Sequence, residues 1–359
     1  MVTARPRYGG ALFFGLTLPR WIVAPRELMA RGVAAAVVLT LVACDSAPPV
    51  QVQRLTLPDG TALAYTSIGR GPDTVVVLHG GPGLQMRYLV GEWSGLQEGR
   101  TLIFYDQRGR GRSDAAPDSL LSASADAEDL EWLRRGLAIG RFSLAAHHSG
   151  APIATLYARR HPERVNRILL VSPSFARRSY SFWAAASSPN DSAATARVIA
   201  AVKSGDNRRD PVAFCRRFWG FWFSPVEVTN SAVVTRLAPG VCDLTPAQIA
   251  AVDRINDRYY RSAYRLDLQD SLATVHVPVL VIQGEGDEAL AHSAATWAAW
   301  LPEGRQYLIP APASPLFPWI GQEREFFAAA NRFLDGSWPA AAIRPSEPTE
   351  SVTTTSLVR

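Results

Sequence analysis

Short, continuous apolar runs recur along this chain and alternate with helical patterns, and few folds accommodate that alternation. Val75–Leu78, Leu102–Tyr105, Phe142–Ala146, Ile168–Val171, Val279–Ile282 and Tyr307–Ile309 have the character of strands buried on both faces of a parallel sheet. Between them, Ala125–Leu137 sets Leu130, Leu133 and Leu137 at helical spacing. This rhythm predicts a doubly wound, mostly parallel α/β sheet. Ahead of it, Gln51–Leu57 and Thr61–Ile68 alternate with period two around Pro58-Asp59-Gly60, a hairpin signal.

The rhythm breaks over 173–270, a strand-poor stretch carrying Trp183, Phe214, Phe218, Trp219, Phe221, Trp222 and Tyr259. A helical cap inserted between two sheet strands, over the carboxyl edge where open α/β sheets bind ligands, is the expected arrangement. The core then divides into 53–172 and 271–336, and 337–359, rich in Pro, Ser and Thr, is expected to be a disordered tail. At 359 residues, 47% hydrophobic and 19% charged, the chain is too apolar for overall disorder and long enough for one large core with an inserted module. Its net charge of +5 comes from basic residues spread along the chain, without the clustered stripe that nucleic-acid binding needs.

The N-terminal region carries a separate signal. Arg31, an apolar run from Val33 to Val42 and then Leu41-Val42-Ala43-Cys44 form a segment too short to span a bilayer but suited to a cleaved signal peptide. Its last four residues resemble a bacterial lipobox, which implies acylation of Cys44. On this reading 1–28 is a leader or a misassigned start, 29–44 the signal and 45–52 a linker, and the protein is an extracytoplasmic, membrane-anchored lipoprotein of a bacterial envelope. An oxidising compartment allows the two remaining cysteines, Cys215 and Cys242, to form a disulfide.

Two loops carry the chemistry. His79-Gly80-Gly81-Pro82-Gly83 follows the strand Val75–Leu78, and Asp106-Gln107-Arg108-Gly109-Arg110-Gly111-Arg112-Ser113 follows the next strand. Glycines at the first of these let the backbone approach a ligand and aim N–H groups at it. Together the segments resemble the α/β-hydrolase fold, and within it the proline iminopeptidase branch of serine hydrolases, over about residues 53 to 336. The resemblance implies a Ser nucleophile on a strained strand-to-helix elbow, an acid after a later strand and a His before the last helix. It also implies oxyanion contacts from Gly80 and Gly81, and Asp287, in Gly284-Glu285-Gly286-Asp287, stands where the family keeps its acid. An Asp there also suits a helix N-cap.

The other two positions depart from the family. The elbow segment reads Ala146-His147-His148-Ser149-Gly150-Ala151 where the family has Gly-x-Ser-x-Gly, and Ser314 stands at the place of the His. Either His148 or Ser149 occupies the point of the elbow. Residues two before and two after it must be small, which suits Ala146 and Gly150 around His148 better than His147 and Ala151 around Ser149. The spacing to Tyr157-Ala158 in the following helix favours the same register. Asn256 likewise stands where the family's aminopeptidases carry an acid.

Two functions follow. One is a hydrolase acting on a small ester, amide or peptide bond with a rearranged constellation: His148 and Asp287 with either Ser314 or Ser149. The other is a tethered, non-catalytic pseudoenzyme that binds a small molecule or short peptide under the cap. Neither reading calls for a cofactor or a metal, since there is no dinucleotide fingerprint or metal-ligand cluster, and the membrane is met only through the lipid anchor.

Overall fold

In the computed structural model, residues 51–174, 200, 203–222, 236–238, 240–263 and 268–346 are described, and all of them belong to the compact unit Val50–Arg359. The chain enters through an antiparallel hairpin, β1 (Gln53–Thr56) and β2 (Ala62–Ile68). Gly60, at φ +87°, closes its turn, where Thr61 N–H donates to Asp59 Oδ1 at 2.9 Å. Glycine reaches that left-handed conformation without steric cost.

The remaining strands are β3 (Asp73–Leu78), β4 (Arg100–Tyr105), β5 (Phe142–His147), β6 (Val165–Val171), β7 (Val279–Gly284) and β8 (Gly304–Ile309). Together the described strands form one eight-stranded sheet in the order β1-β2-β4-β3-β5-β6-β7-β8. β2 runs antiparallel to β4, and from β4 to β8 every pairing is parallel. The chain moves outward from β3 to β4 and then crosses back to β5, so the order reverses at β3 and β5. Loops leaving their carboxyl ends diverge there, and such a switch point opens the crevice in which α/β sheets hold ligands.

Helices cover both faces. The described helices are α1 (Arg87–Val90), α2 (Ala123–Gly136), α3 (Gly150–Arg160), α4 (Asp206–Arg209), α5 (Pro211–Trp222), α6 (Pro246–Ala263), α7 (Leu268–Ala273), α8 (Glu288–Trp300) and α9 (Glu323–Leu334). On one face Leu130 and Leu133 of α2, Ile153 of α3 and Trp297 of α8 pack with Val76, Leu144 and Val281. On the other, Leu89 of α1 and Phe326 and Phe333 of α9 pack with Val77, Ala145 and Ile282. Successive strand residues therefore enter opposite cores, which is why these strands read as continuous apolar runs.

The elements of regular structure described between β6 and β7 are helices, α4 to α7. Cys215 on α5 and Cys242, just ahead of α6, form a disulfide with Cα atoms 5.8 Å apart. Cys44 and Trp183 lie outside the described residues. The expected disordered tail needs correction up to residue 346. Ile343 N–H and C=O exchange hydrogen bonds with Gln306 of β8 at 2.9 and 2.7 Å, and Trp338 stacks on Phe333 and Arg305. β8 is the sheet's edge, and pairing there satisfies backbone groups that an open edge would leave bare. No helix among the described residues is long and apolar enough to cross a membrane.

Candidate active site

β5 ends at His147, and the chain reverses into α3 through a single residue in the left-handed region: His148, at φ +47°. Ser149 has ordinary right-handed angles, φ −70° and ψ −6°, so the point of the elbow belongs to His148. A side chain bearing Cβ is strained there, at a cost of about 1–3 kcal/mol. The surroundings hold it in place. His148 N–H donates to Val171 O at 3.0 Å, and its carbonyl accepts from Ala151 and Ser174 N–H, both at 3.1 Å.

The glycines on either side are steric requirements of this turn. A Cβ on Gly150 would lie 2.9 Å from Leu78 O, and one on Gly80 would lie 2.6 Å from His147 Nδ1 and 2.8 Å from His148 Cβ. The glycine loop after β3 therefore lies directly against the elbow.

Polar bonds then fix that loop. Arg110 Nε donates to Pro82 O at 2.7 Å, and the same guanidinium bonds Asp126 Oδ1 at 2.8 Å. Arg108 forms a two-pronged pair with Asp129 and bonds Asp59. Asp106 Oδ1 accepts Met86 N–H at 2.6 Å and Oδ2 accepts Arg112 N–H at 2.8 Å, while burial raises its pKa to about 6. The arginine-rich motif thus braces the loop from behind. His79 is buried with it: Nδ1–H donates to Gly80 O at 3.1 Å, and burial holds the ring's pKa down to about 3.

The backbone N–H groups without an acceptor among the described residues at the elbow include those of Gly81 and Ser149. One comes from the loop after β3 and the other from the residue after the elbow point, which is the arrangement of an oxyanion hole. Gly80 is not the expected second donor, because its N–H gives its hydrogen bond to Tyr88 Oη at 2.7 Å. The His148 ring is half-buried and makes no hydrogen bond among the described residues. Burial lowers its pKa to about 4, so the imidazole is neutral at pH 7.

The other expected site residues are engaged elsewhere. Ser314 is fully buried, and its Oγ accepts the Phe317 N–H at 3.1 Å. Asp287 Oδ1 caps α8 by accepting Leu290 N–H at 2.9 Å. No hydrogen bond among the described residues joins His148, Ser314 and Asp287. The buried Ser149 lies at the N-cap of α3 without a side-chain capping bond, and its carbonyl accepts the Tyr259 hydroxyl. Asn256 Oδ1 accepts Gly83 N–H at 3.1 Å, so an amide holds α6 to the glycine loop where the family's aminopeptidases carry an acid.

His147 and Tyr88 are site residues that the sequence did not point to. His147 Nε2–H donates to Leu316 O at 2.8 Å and Nδ1 accepts the Tyr88 hydroxyl at 2.7 Å. The ring is packed among Tyr88, Trp93, Phe317 and Trp319, and burial lowers its pKa to about 3. It ties the elbow to both flanking loops. The adjacent pair of histidines was the only available signal, and it does not say which ring turns inward.

Comparison with known proteins agrees with this geometry. The family model for the alpha/beta hydrolase fold matches residues 73–221. A proline iminopeptidase of Heyndrickxia coagulans is 24% identical over 277 residues, 74% of this chain and 91% of that protein. One from Xylella fastidiosa is 32% identical over 118 residues, 32% of this chain and 37% of its own length. Among solved structures, a proline iminopeptidase of Mycobacterium smegmatis superposes with a TM-score of 0.56 at 21% identity, covering 79% of this chain and 98% of the other. A thermophilic esterase from Thermogutta terrifontis gives 0.58 at 23%, with the same coverages of 79% and 98%. At these identities the structural likeness speaks for the fold alone.

Proposed function

We propose that this chain, which resembles α/β hydrolases and within them proline iminopeptidases, uses its elbow as a carbonyl-binding site working without a serine, histidine and acid relay. The observation that carries this reading is the pair of unused N–H groups, Gly81 and Ser149, flanking an elbow whose side chain is an unbonded imidazole. Unused donors on the two segments that meet at the start of α3, where the helix dipole adds positive potential, favour a carbonyl or carboxylate oxygen. The ligand is a small ester, amide or short peptide, as in the branch's own chemistry. A relay would need the proton of a hydroxyl to reach an imidazole within about 3 Å. Ser314 instead accepts a backbone N–H and Asp287 caps a helix, which speaks against the rearranged constellation.

Benzamide titrated into isotope-labelled protein tests the binding. The expected result is saturable movement of the Gly81 and Ser149 amide resonances, and no movement at either overturns the reading. Fluorophosphonate treatment tests the missing relay. No adduct is expected on Ser149 or Ser314, and an adduct on either one overturns this part.

We further propose that the protein is held at the outer side of a bacterial membrane through an acylated Cys44. The short apolar run before Cys44 and a disulfide between Cys215 and Cys242, which suits an oxidising compartment, support it. Incorporation of labelled palmitate that disappears in Cys44→Ser is the expected result.

A further inference from the structure

In a serine hydrolase the elbow carries the group that attacks. Here the residue in that strained conformation is His148, whose ring has no hydrogen-bond partner among the described residues and retains some exposure. Its backbone lies between the glycine loop and the first turn of α3, beside both unused N–H groups. We propose that His148 is itself a nucleophile, toward esters whose leaving group departs as a stable anion, aryl esters above all. This rests on the carbonyl-binding reading, since the carbonyl must first occupy the Gly81 and Ser149 donors.

The unprotonated ring nitrogen adds its lone pair to the carbonyl carbon, and the carbonyl π electrons move to oxygen, where the two N–H groups receive them. The oxyanion then collapses, the bond from carbon to the aryloxy oxygen breaks, and the aryloxide leaves with its electron pair. The remaining acylimidazolium is attacked by water, which supplies the carboxylate oxygen and protons and restores the neutral imidazole. The balance is one ester and one water to one acid and one phenol, with no other reactant.

The substrate class follows from what surrounds the ring. Expulsion of an amine needs a proton donor at the leaving nitrogen. The nearby imidazole, His147, has its protonated nitrogen committed to Leu316 O, and both rings are kept neutral by burial. Amides and peptides are therefore bound but not cleaved, whereas an aryloxide needs no such donor. A ring of low basicity is a weak nucleophile but also a good leaving group in the second step, so acylation limits the rate.

The test is hydrolysis of p-nitrophenyl acetate by the full chain in detergent, with His148→Asn and His148→Gly. Both substitutions suit the elbow's φ, so a folding failure in one leaves the other. The expected result is a loss of about 100-fold in turnover in either folded variant. Hydroxylamine added to the wild type should divert the acetyl group from acetate to acetohydroxamate, beyond the yield seen with either variant, without changing the enzyme-dependent rate of phenol release, and 4-nitroacetanilide should remain intact. Equal turnover by wild type and a folded variant overturns the proposal, as does an acetyl group found on Ser149 or Ser314, or a marked solvent deuterium isotope effect, which would indicate a base acting on water. If benzamide still shifts Gly81 and Ser149 while turnover is unchanged in the variants, the nucleophile fails and the binding site stands. If neither is seen, both fail.

Discussion

The Tyr88 hydroxyl lies 2.7 Å from His147 Nδ1 and 2.7 Å from the Gly80 nitrogen. It accepts from the glycine loop and donates to the strand that carries the elbow. One phenol thereby joins the glycine loop to the strand that leads into the elbow, and it does so where burial has removed water. Tyr88→Phe should destabilise the fold by about 1–3 kcal/mol, because it leaves a buried N–H and a ring nitrogen unpaired. Urea denaturation followed by circular dichroism measures it, and no loss would show that Tyr88 is not a brace.

The elbow's packing makes Gly150→Ala a second test. Alanine in a helix ordinarily gains up to about 1 kcal/mol over glycine. Here its Cβ would meet Leu78 O at 2.9 Å and Leu78 Cβ at 3.0 Å, so a net loss of about 1–3 kcal/mol is expected. The same denaturation experiment reads the sign directly.

Ser314→Ala separates a structural serine from a reacting one. It removes the acceptor for the Phe317 N–H, and the expected loss of stability is about 1–3 kcal/mol. Turnover of p-nitrophenyl acetate by the folded variant should match the wild type. A large fall in turnover would return Ser314 to the chemistry.

Acid should weaken the fold through its buried imidazoles. His79 and His147 titrate at about 3 and His148 at about 4, against an ordinary 6.5, chiefly because burial disfavours the cation. Below 6.5 the unfolded chain binds protons that the folded chain refuses, so these groups take away stability as pH falls from 6.5 toward 4. Asp106 and Asp126, raised by burial to about 6 and about 7, act in the opposite sense over the same range. The difference between wild type and His148→Asn isolates the imidazole, since both proteins share those carboxyls. Thermal midpoints measured from pH 7 to 4 should fall more steeply in the wild type than in the variant.

The disulfide links residues 27 apart in sequence, and closing a loop of that size stabilises by about 2–4 kcal/mol. Cys215→Ser with Cys242→Ser should lose that amount, as should the wild type under a thiol reductant. Equal midpoints with and without reductant would mean that the bridge does not contribute.

The positions of the strands were legible in the sequence because burial on both faces leaves a local trace. Val75–Leu78 and Val279–Ile282 have few polar residues to offer, and any fold that uses them must cover both sides. The elbow register was legible for a similar reason: only Ala146 and Gly150 are small enough to flank so tight a turn, which sets His148 at its point. The strand ends were less clear. Val165–Arg167 extends β6 although two of its three residues are only partly buried, because pairing with β5 supplies what its composition does not.

What sequence alone determined was therefore the sheet, the hairpin, the glycine loop beside the elbow and the absence of a Gly-x-Ser-x-Gly pattern at the elbow, each written in neighbouring residues. Tertiary structure decided the partners. His147 finds Tyr88 and Leu316 at separations of 59 and 169 residues, and Asn256 finds Gly83 across 173. Such bonds depend on which loops the strand order brings to one edge, and on angles of a few degrees at the turn. The same geometry turns His147 inward to brace the site, leaves the His148 ring unbonded, and commits the Gly80 N–H to Tyr88 while those of Gly81 and Ser149 stay unused. Neighbouring residues of one chemical type receive different roles because hydrogen bonding acts over about 3 Å in space and is indifferent to distance along the chain.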